Sequence, residues 1–272
     1  MKGIVVSILV LLAFALAAGW IYLRRFERGQ LYRPSAEVAA TPGDFHLRFQ
    51  DVTFLSADGT TLAGWWIPAN RPCATVVYCK GNAGNVGAVA RFAPEFVRRG
   101  FNVFMWDYRG YGRSAGRPSE RGLYADARAA YDAAEKLAPD FPLLAYGVSL
   151  GGAVAVQLAM DRPVAGLVLE SSFSSAADLA RRRYPNLPLH RLLSVSYDSA
   201  SKAALLEGVP KLIGHAMRDD VVPFQSGRIL HGAAADPKTF ALVEGRHGEC
   251  SWFVPGEPGN AELEEFLGRF KP

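Results

Sequence analysis

Eight short β-type apolar runs alternate with longer helical patterns, and that alternation restricts the fold of this chain more than any other feature. The runs cover residues 52–55, 62–67, 75–79, 102–106, 143–146, 166–169, 211–214 and 239–243. Helical patterns fall at 86–99, 120–137, 153–160, 224–231 and 261–270. Strands separated by helices cannot pair as hairpins. They form a mostly parallel sheet, here of eight strands, with helices on both faces. The first two runs are the exception, because Ala57-Asp58-Gly59 between them is a hairpin signal. Residues 171–207 interrupt the alternation with Pro185, Pro188 and the run Arg181-Arg182-Arg183, and are expected to form a small lid. In such a sheet the active site lies at the carboxyl ends of the strands, so the loops there hold the candidate residues.

The N-terminus is a separate device. From Ile4 to Leu23 no residue is charged, and 20 residues of helix span about 30 Å, the thickness of a bilayer's hydrocarbon core. Trp20 and Tyr22 sit where an interfacial aromatic belt would lie. A cleaved signal peptide is the alternative, since Ala15-Leu16-Ala17 resembles a cleavage site, but the apolar run continues six residues beyond it. The reading is therefore a membrane anchor over 1–30 and a linker over 31–45, rich in small, polar and Pro/Gly residues. A globular domain over 46–272 follows, with its lid at 171–207. The chain has 30 Lys+Arg and 26 Asp+Glu. Lys2, Arg24, Arg25, Arg28 and Arg33 with Glu27 lie in the first 33 residues, leaving 25 of each sign beyond. The domain is thus neutral, and no nucleic-acid partner is expected. The arginines after the span against Lys2 before it mildly favour a cytoplasmic domain on a single-pass anchor. Cys73, Cys79 and Cys250 have neither disulfide-scaffold nor metal-ligand spacing, so no metal is expected.

The chemistry concentrates in Gly147-Val148-Ser149-Leu150-Gly151, which joins a strand to a helix. A serine on so tight a turn adopts a strained backbone, and small residues two positions before and after it avoid a clash. Its hydroxyl then projects above the sheet at a helix N-terminus. Serine is a weak nucleophile at its free pKa and needs a base and a group to orient that base. Both follow strands. His215-Ala216-Met217-Arg218-Asp219-Asp220 comes after run 211–214, and Glu244-Gly245-Arg246-His247 after run 239–243. His247 is the expected base and Asp219 the expected acid, with Asp220 and Glu170 as rivals. His215 is expected to hydrogen-bond within the turn, while His46, His190 and His231 have structural readings. The backbone N–H of Leu150 and of Asn82, in the loop Lys80-Gly81-Asn82-Ala83-Gly84-Asn85, are the candidate oxyanion donors. The glycine-rich stretches at 81–87 and 110–116 lack the G-x-G-x-x-G and Gly-Lys-Ser/Thr patterns, so no nucleotide cofactor is expected.

These residues resemble the α/β-hydrolase superfamily. The resemblance runs from about Leu31 to Phe270. It rests on Gln30-Leu31-Tyr32-Arg33-Pro34-Ser35, the Lys80–Asn85 loop, Asp107-Tyr108-Arg109-Gly110-Tyr111-Gly112, Gly147–Gly151, Glu170-Ser171-Ser172-Phe173, Asp219-Asp220-Val221-Val222-Pro223 and His247. Within the superfamily it is similar to the membrane-anchored abhydrolase-domain branch, which includes lysophospholipases and protein depalmitoylases. The branch implies Asp219 as the acid, and makes Asp107 and Arg109 packing and turn residues. Lys80 stands where the branch usually has histidine, which makes it either a solvent-facing side chain or a candidate contact for substrate. The implied activity is a serine hydrolase acting on acyl esters or thioesters of lipid-like or acylated substrates, without cofactor. A peptidase or acyltransferase on the same triad, and a non-enzymatic anchored module, are the alternatives. The Arg181-Arg182-Arg183 run is either a solvated face or a contact for anionic head groups.

Overall fold

A computed structural model describes residues 2–249 and 251–271. Met1, Cys250 and Pro272 lie outside the described residues, as does the side chain of Lys2. The chain forms two compact units, one ending at Arg33 and one beginning at Pro34.

The first unit is a single helix, α1 (Lys2–Leu31). Its segment Ile4–Leu31 has a mean hydropathy of 2.7 in its most apolar window, and none of that window is buried. Large side chains such as Leu11, Phe14, Leu16 and Trp20 stand exposed along it. A helix this apolar and this uncovered has the composition of a membrane anchor or a signal sequence.

The second unit is built on eight strands. They are β1 (Gln50–Leu55), β2 (Thr61–Ile67), β3 (Ala74–Cys79), β4 (Phe101–Trp106), β5 (Leu143–Val148), β6 (Gly166–Glu170), β7 (Lys211–Ala216) and β8 (Lys238–Val243). Their spatial order is β8-β7-β6-β5-β3-β4-β2-β1. β1 and β2 form the expected hairpin, with Leu55 opposite Thr61, and β2 runs antiparallel to β4. All other neighbours are parallel. Strands β3 to β7 are buried at every position, which is what helices on both faces require.

Alternating strand residues serve the two faces. Val76, Tyr78, Leu144, Tyr146 and Val148 point into one core, together with Phe96, Trp252, Phe253, Leu263 and Phe266. Tyr78 stacks on Tyr146 at 5.3 Å, and Phe96 meets Tyr146 and Phe253 edge-on at 5.1 Å each. The opposite face carries α4 (Glu120–Leu137) and α5 (Leu150–Asp161). The helix expected over 86–99 is interrupted. α2 (Val86–Val89) gives way to a 3-10 turn at Ala90–Phe92, and α3 (Ala93–Val97) restarts with Pro94 in its first turn. Proline has no N–H, and its ring collides with the carbonyl four residues back, so one continuous helix could not run through it.

Residues 34–45, read above as linker, are strapped to the domain. Asn85 Nδ2 donates to Ser35 O at 3.1 Å and to Glu37 O at 2.5 Å. Ser35 N–H donates to Gly84 O at 3.0 Å, and a 3-10 turn forms at Pro42–Phe45. Residues 171–207 hold α6 (Ala176–Arg183), a 3-10 turn at Pro188–Arg191 and α7 (Ser199–Ala203). The Glu120 carboxylate accepts from the N–H groups of Ser196 and Tyr197, both at 2.7 Å, and ties this segment to α4. α8 (Phe224–Ala233) and α9 (Asn260–Gly268) complete the layers.

The segment following β4 is pinned by a buried ion pair. Arg109 Nη2 lies 2.7 Å from Asp126 Oδ1, whose carboxylate on α4 is fully buried, while Arg109 Nη1 reaches Asp58 Oδ2 at 2.7 Å. Removing the guanidinium strands the Asp126 carboxylate in the interior, whereas Arg109 keeps Asp58 if Asp126 is removed. Arg109→Ala is therefore expected to cost about 3–5 kcal/mol, read as a lowered urea midpoint of the detergent-solubilised chain.

Candidate active site

Ser149 sits between the last residue of β5 and the first of α5, with φ 55° and ψ −118°. Its N–H donates to Glu170 O on β6 at 2.9 Å, and its carbonyl accepts from Ser172 Oγ at 2.9 Å. These bonds fix the turn from both sides. The turn is possible because its neighbours lack side chains. A Cβ on Gly147 would lie 2.3 Å from Gly151 O, and one on Gly151 would lie 1.9 Å from Cys79 O. No side chain fits at those separations, so α5 can press its first turn against the end of β3 only with glycine there. Leu150, as first residue of α5, has no carbonyl of its own helix for its N–H.

The loop after β3 closes over the serine. A Cβ on Gly81 would stand 3.8 Å from Ser149 Cβ. Two tyrosines of the Asp107–Gly112 segment hold this loop from behind. Tyr108 Oη donates to Lys80 O at 2.7 Å, and Tyr111 Oη donates to Asn82 O at 2.8 Å.

On the same edge of the sheet, the loop after β7 turns back so that Met217 N–H bonds Val243 O at 2.9 Å. This brings the β7 and β8 loops together, and His247 Nδ1 meets Asp219 Oδ2 at 2.7 Å. The other oxygen of Asp219 accepts from the N–H groups of Val221 at 2.9 Å and Val222 at 2.7 Å. Burial alone would raise this carboxyl, but His247 and the two N–H groups outweigh it and hold Asp219 below the usual carboxylate range. The rival acids are engaged elsewhere. Asp220 pairs with Arg246 at 2.7 Å on the surface. Glu170 accepts from Tyr146 Oη in the interior.

His215 is wholly buried beneath this loop, with Nε2 2.9 Å from Val222 O and 3.6 Å from Asp219 Oδ2. A carbonyl only accepts, so the ring carries its proton on Nε2. Gly227 of α8 packs against the Nδ1 side, where a Cβ would lie 2.3 Å away. Burial holds its pKa below the ordinary histidine value. His215 thus stays neutral and fixes the Val222 carbonyl, the turn-bonding role its position implied.

Lys80 departs from both readings of the sequence. It does not face solvent, being 1% exposed, and its ammonium turns in among the residues that follow β4. Nζ lies 3.7 Å from Asp107 Oδ1, 3.6 Å from the centre of the Tyr111 ring and 4.8 Å from that of Tyr108. Burial lowers its pKa to about 8, against the pull of Asp107. Burial likewise raises Asp107 to about 6, against Lys80 and the Val86 N–H that bonds its Oδ1 at 2.8 Å. No local pattern signals this enclosure, since its walls come from a segment 27 to 31 residues downstream. Among the described residues no group of three or more His, Cys, Asp or Glu is gathered to hold a metal ion. Hollows of about 600 Å³ beside Arg228, Phe240 and Leu242, and beside Arg71 and Arg98, include none of these site residues in their linings.

A mostly parallel eight-stranded sheet with a serine at the β5–α5 turn and an Asp–His pair beyond β7 and β8 defines an α/β hydrolase. Sequence relationships agree. Residues 70–196 match the family described as serine aminopeptidase, S33. Over 223 residues the chain is 40% identical to the protein Rv2307c of Mycobacterium tuberculosis, covering 80% of this chain and 79% of that one. It is 30% identical over 283 residues to the alpha/beta hydrolase domain-containing protein WAV2 of Arabidopsis thaliana, covering 94% and 92%. Among solved structures, the esterase Pf2001 of Pyrococcus furiosus superposes with a TM-score of 0.69 at 18% identity, covering 88% of this chain and 97% of that one. The chain belongs to the α/β-hydrolase family.

A carboxylate held below its unfolded value of 3.8 contributes stability that is present above that value and is lost as pH falls through the folded one. The stability gap between wild type and Asp219→Asn should accordingly be constant near neutrality and narrow below about pH 4, measured by urea unfolding at stepped pH.

Proposed function

We propose that this protein is a membrane-tethered serine hydrolase that cleaves acyl esters or thioesters through Ser149, His247 and Asp219. The observation that carries the reading is the 2.7 Å contact between His247 Nδ1 and Asp219 Oδ2, on the same carboxyl edge of the sheet as the strained Ser149. With Nδ1 committed to the carboxylate, Nε2 is the nitrogen left to take a proton. Ser149 Oγ attacks the acyl carbon as its proton passes to His247, and Asp219 stabilises the imidazolium. The N–H groups of Leu150 and Asn82 receive the developing oxyanion. Collapse breaks the bond to the leaving alcohol or thiol, which departs with the proton from His247. Water, deprotonated by the same histidine, then attacks the acyl-enzyme; the bond from the acyl carbon to Ser149 Oγ breaks, the acid leaves, and His247 returns the proton to Oγ.

The uncovered apolar helix Ile4–Leu31 supports the tether, because nothing within its own unit buries those side chains. An anchor keeps the site near membrane-borne acyl groups, and the arginines following the span orient the domain to the cytoplasm. A peptidase reading on the same residues has one specific support, the family description over residues 70–196.

A fluorophosphonate probe should label the detergent-solubilised chain and fail to label Ser149→Ala. His247→Ala should lower kcat at least about 10³-fold with the fold intact by circular dichroism. A labelled protein that cleaves peptides and not esters would favour the peptidase. After expression, alkaline carbonate should leave the full chain in the membrane pellet. Release of a shortened chain would make the helix a cleaved signal.

A further inference from the structure

A lysine buried as completely as Lys80 is costly, and nothing in the acyl-transfer steps above uses it. An apolar side chain of similar length could fill the space without desolvating a charge. What distinguishes the site is its place in the backbone. Lys80 begins the loop that covers Ser149, and Val86 ends it. Asp107 bonds the Val86 N–H at 2.8 Å and lies 3.7 Å from the Lys80 ammonium, so one carboxylate holds both ends of the loop. The tyrosines whose rings enclose the ammonium are the two whose hydroxyls hold the carbonyls of Lys80 and Asn82. An ammonium 3.6 Å from a ring centre is strongly attracted to that ring once desolvated. Tyr111 is thereby fixed at its face by Lys80 and at its hydroxyl to Asn82.

We propose that Lys80 is a positioning residue for the oxyanion loop: its buried ammonium, clamped between the Asp107 carboxylate and the Tyr111 ring, sets the orientation of the Gly81–Asn82 backbone toward Ser149. This rests on the serine-hydrolase reading and adds to it a charge that acts through Tyr111 rather than on substrate. The clamp is a charged pair only between the two titrations, near pH 6 for Asp107 and near pH 8 for Lys80. Burial pushes the Tyr108 phenol and the Cys79 thiol upward, away from that range. Tyr111 donates its hydroxyl hydrogen to Asn82 O, and the Arg113 guanidinium acts on Asp107 to lower it. Above about pH 8 the ammonium discharges, its attraction to the ring and to Asp107 ends, and the loop loses its brace.

The test uses the full chain in detergent with p-nitrophenyl butyrate as probe. Wild type should turn over and Ser149→Ala should not. Lys80→Met should lower kcat about 10- to 100-fold with KM within about twofold, the pattern of misplaced transition-state donors. The wild-type kcat should decline above about pH 8, and that decline should be absent from Lys80→Met. The double variant Lys80→Met/Asp107→Asn removes both charges together and strands neither. It should melt at or above the wild-type temperature and still show the kcat loss, a combination that a purely structural lysine would not produce. Tyr111→Phe, lacking only the hydroxyl on Asn82, should lower kcat in the same direction. A foldable Lys80→Met or double variant with wild-type kcat, or an alkaline decline shared by wild type and variant, would overturn the proposal while leaving the serine-hydrolase reading standing. A folded wild type with no turnover and no fluorophosphonate labelling would overturn both.

Discussion

The backbone of Ser149 sits at φ 55° and ψ −118°, a region that costs an L-residue about 1–3 kcal/mol. Much of the surrounding architecture is arranged to hold it there. Strand β5 delivers the serine between two parallel neighbours, the Glu170 carbonyl captures its N–H, and Ser172 captures its carbonyl. Helix α5 begins at the next residue and can approach β3 only because Gly151 has no side chain to meet Cys79 O. The aromatic layer of Tyr78, Phe96, Tyr146 and Phe253 stiffens the sheet beneath the turn. The strain is local, and the rigidity that sustains it comes from the packed sheet as a whole.

Around this point the charged residues divide by role. Arg109 with Asp126 and Asp58 fixes the segment after β4 to α4 and to the β1–β2 hairpin. Asp219 is held ionised by N–H donors and by His247, and His215 stiffens its loop from below while staying neutral. Lys80 and Asp107 are shifted toward each other by burial, the Lys downward and the Asp upward. A buried pair of this kind adds little to stability. Its value lies in tying together two loops that are far apart in sequence.

Features that depend on short-range pattern were legible in the sequence. The apolar runs mark the strands: the inner parallel ones are buried on both faces and read as continuous apolar stretches, and the first two are set off by the hairpin signal between them. Gly147, Ser149 and Gly151 identified the elbow, because its sterics involve residues two apart. Asp219 and His247 stand just beyond strands, the places that make them candidates in the sequence, and the fold brings them within 2.7 Å of each other. Three features were harder. The helix break at Pro94 was visible in principle, but a proline in the first turn of a second helix looks much like one inside a single longer helix. The strap at residues 34–45 depends on Asn85, some 50 residues away, and polar side-chain bonds of that range leave no periodicity. The enclosure of Lys80 depends on Tyr108 and Tyr111, which read as parts of a turn motif until the fold brings their rings to the ammonium.

The proposed chemistry stands or falls on covalent acylation of Ser149 during turnover. It is tested most directly by mixing the protein with a p-nitrophenyl ester, quenching in acid within one turnover and locating the acyl group by peptide mass spectrometry. The added acyl mass is expected on the peptide containing Ser149, at a stoichiometry matching the burst of nitrophenol. Hydrolysis with no adduct, or with the adduct on another residue, would contradict it.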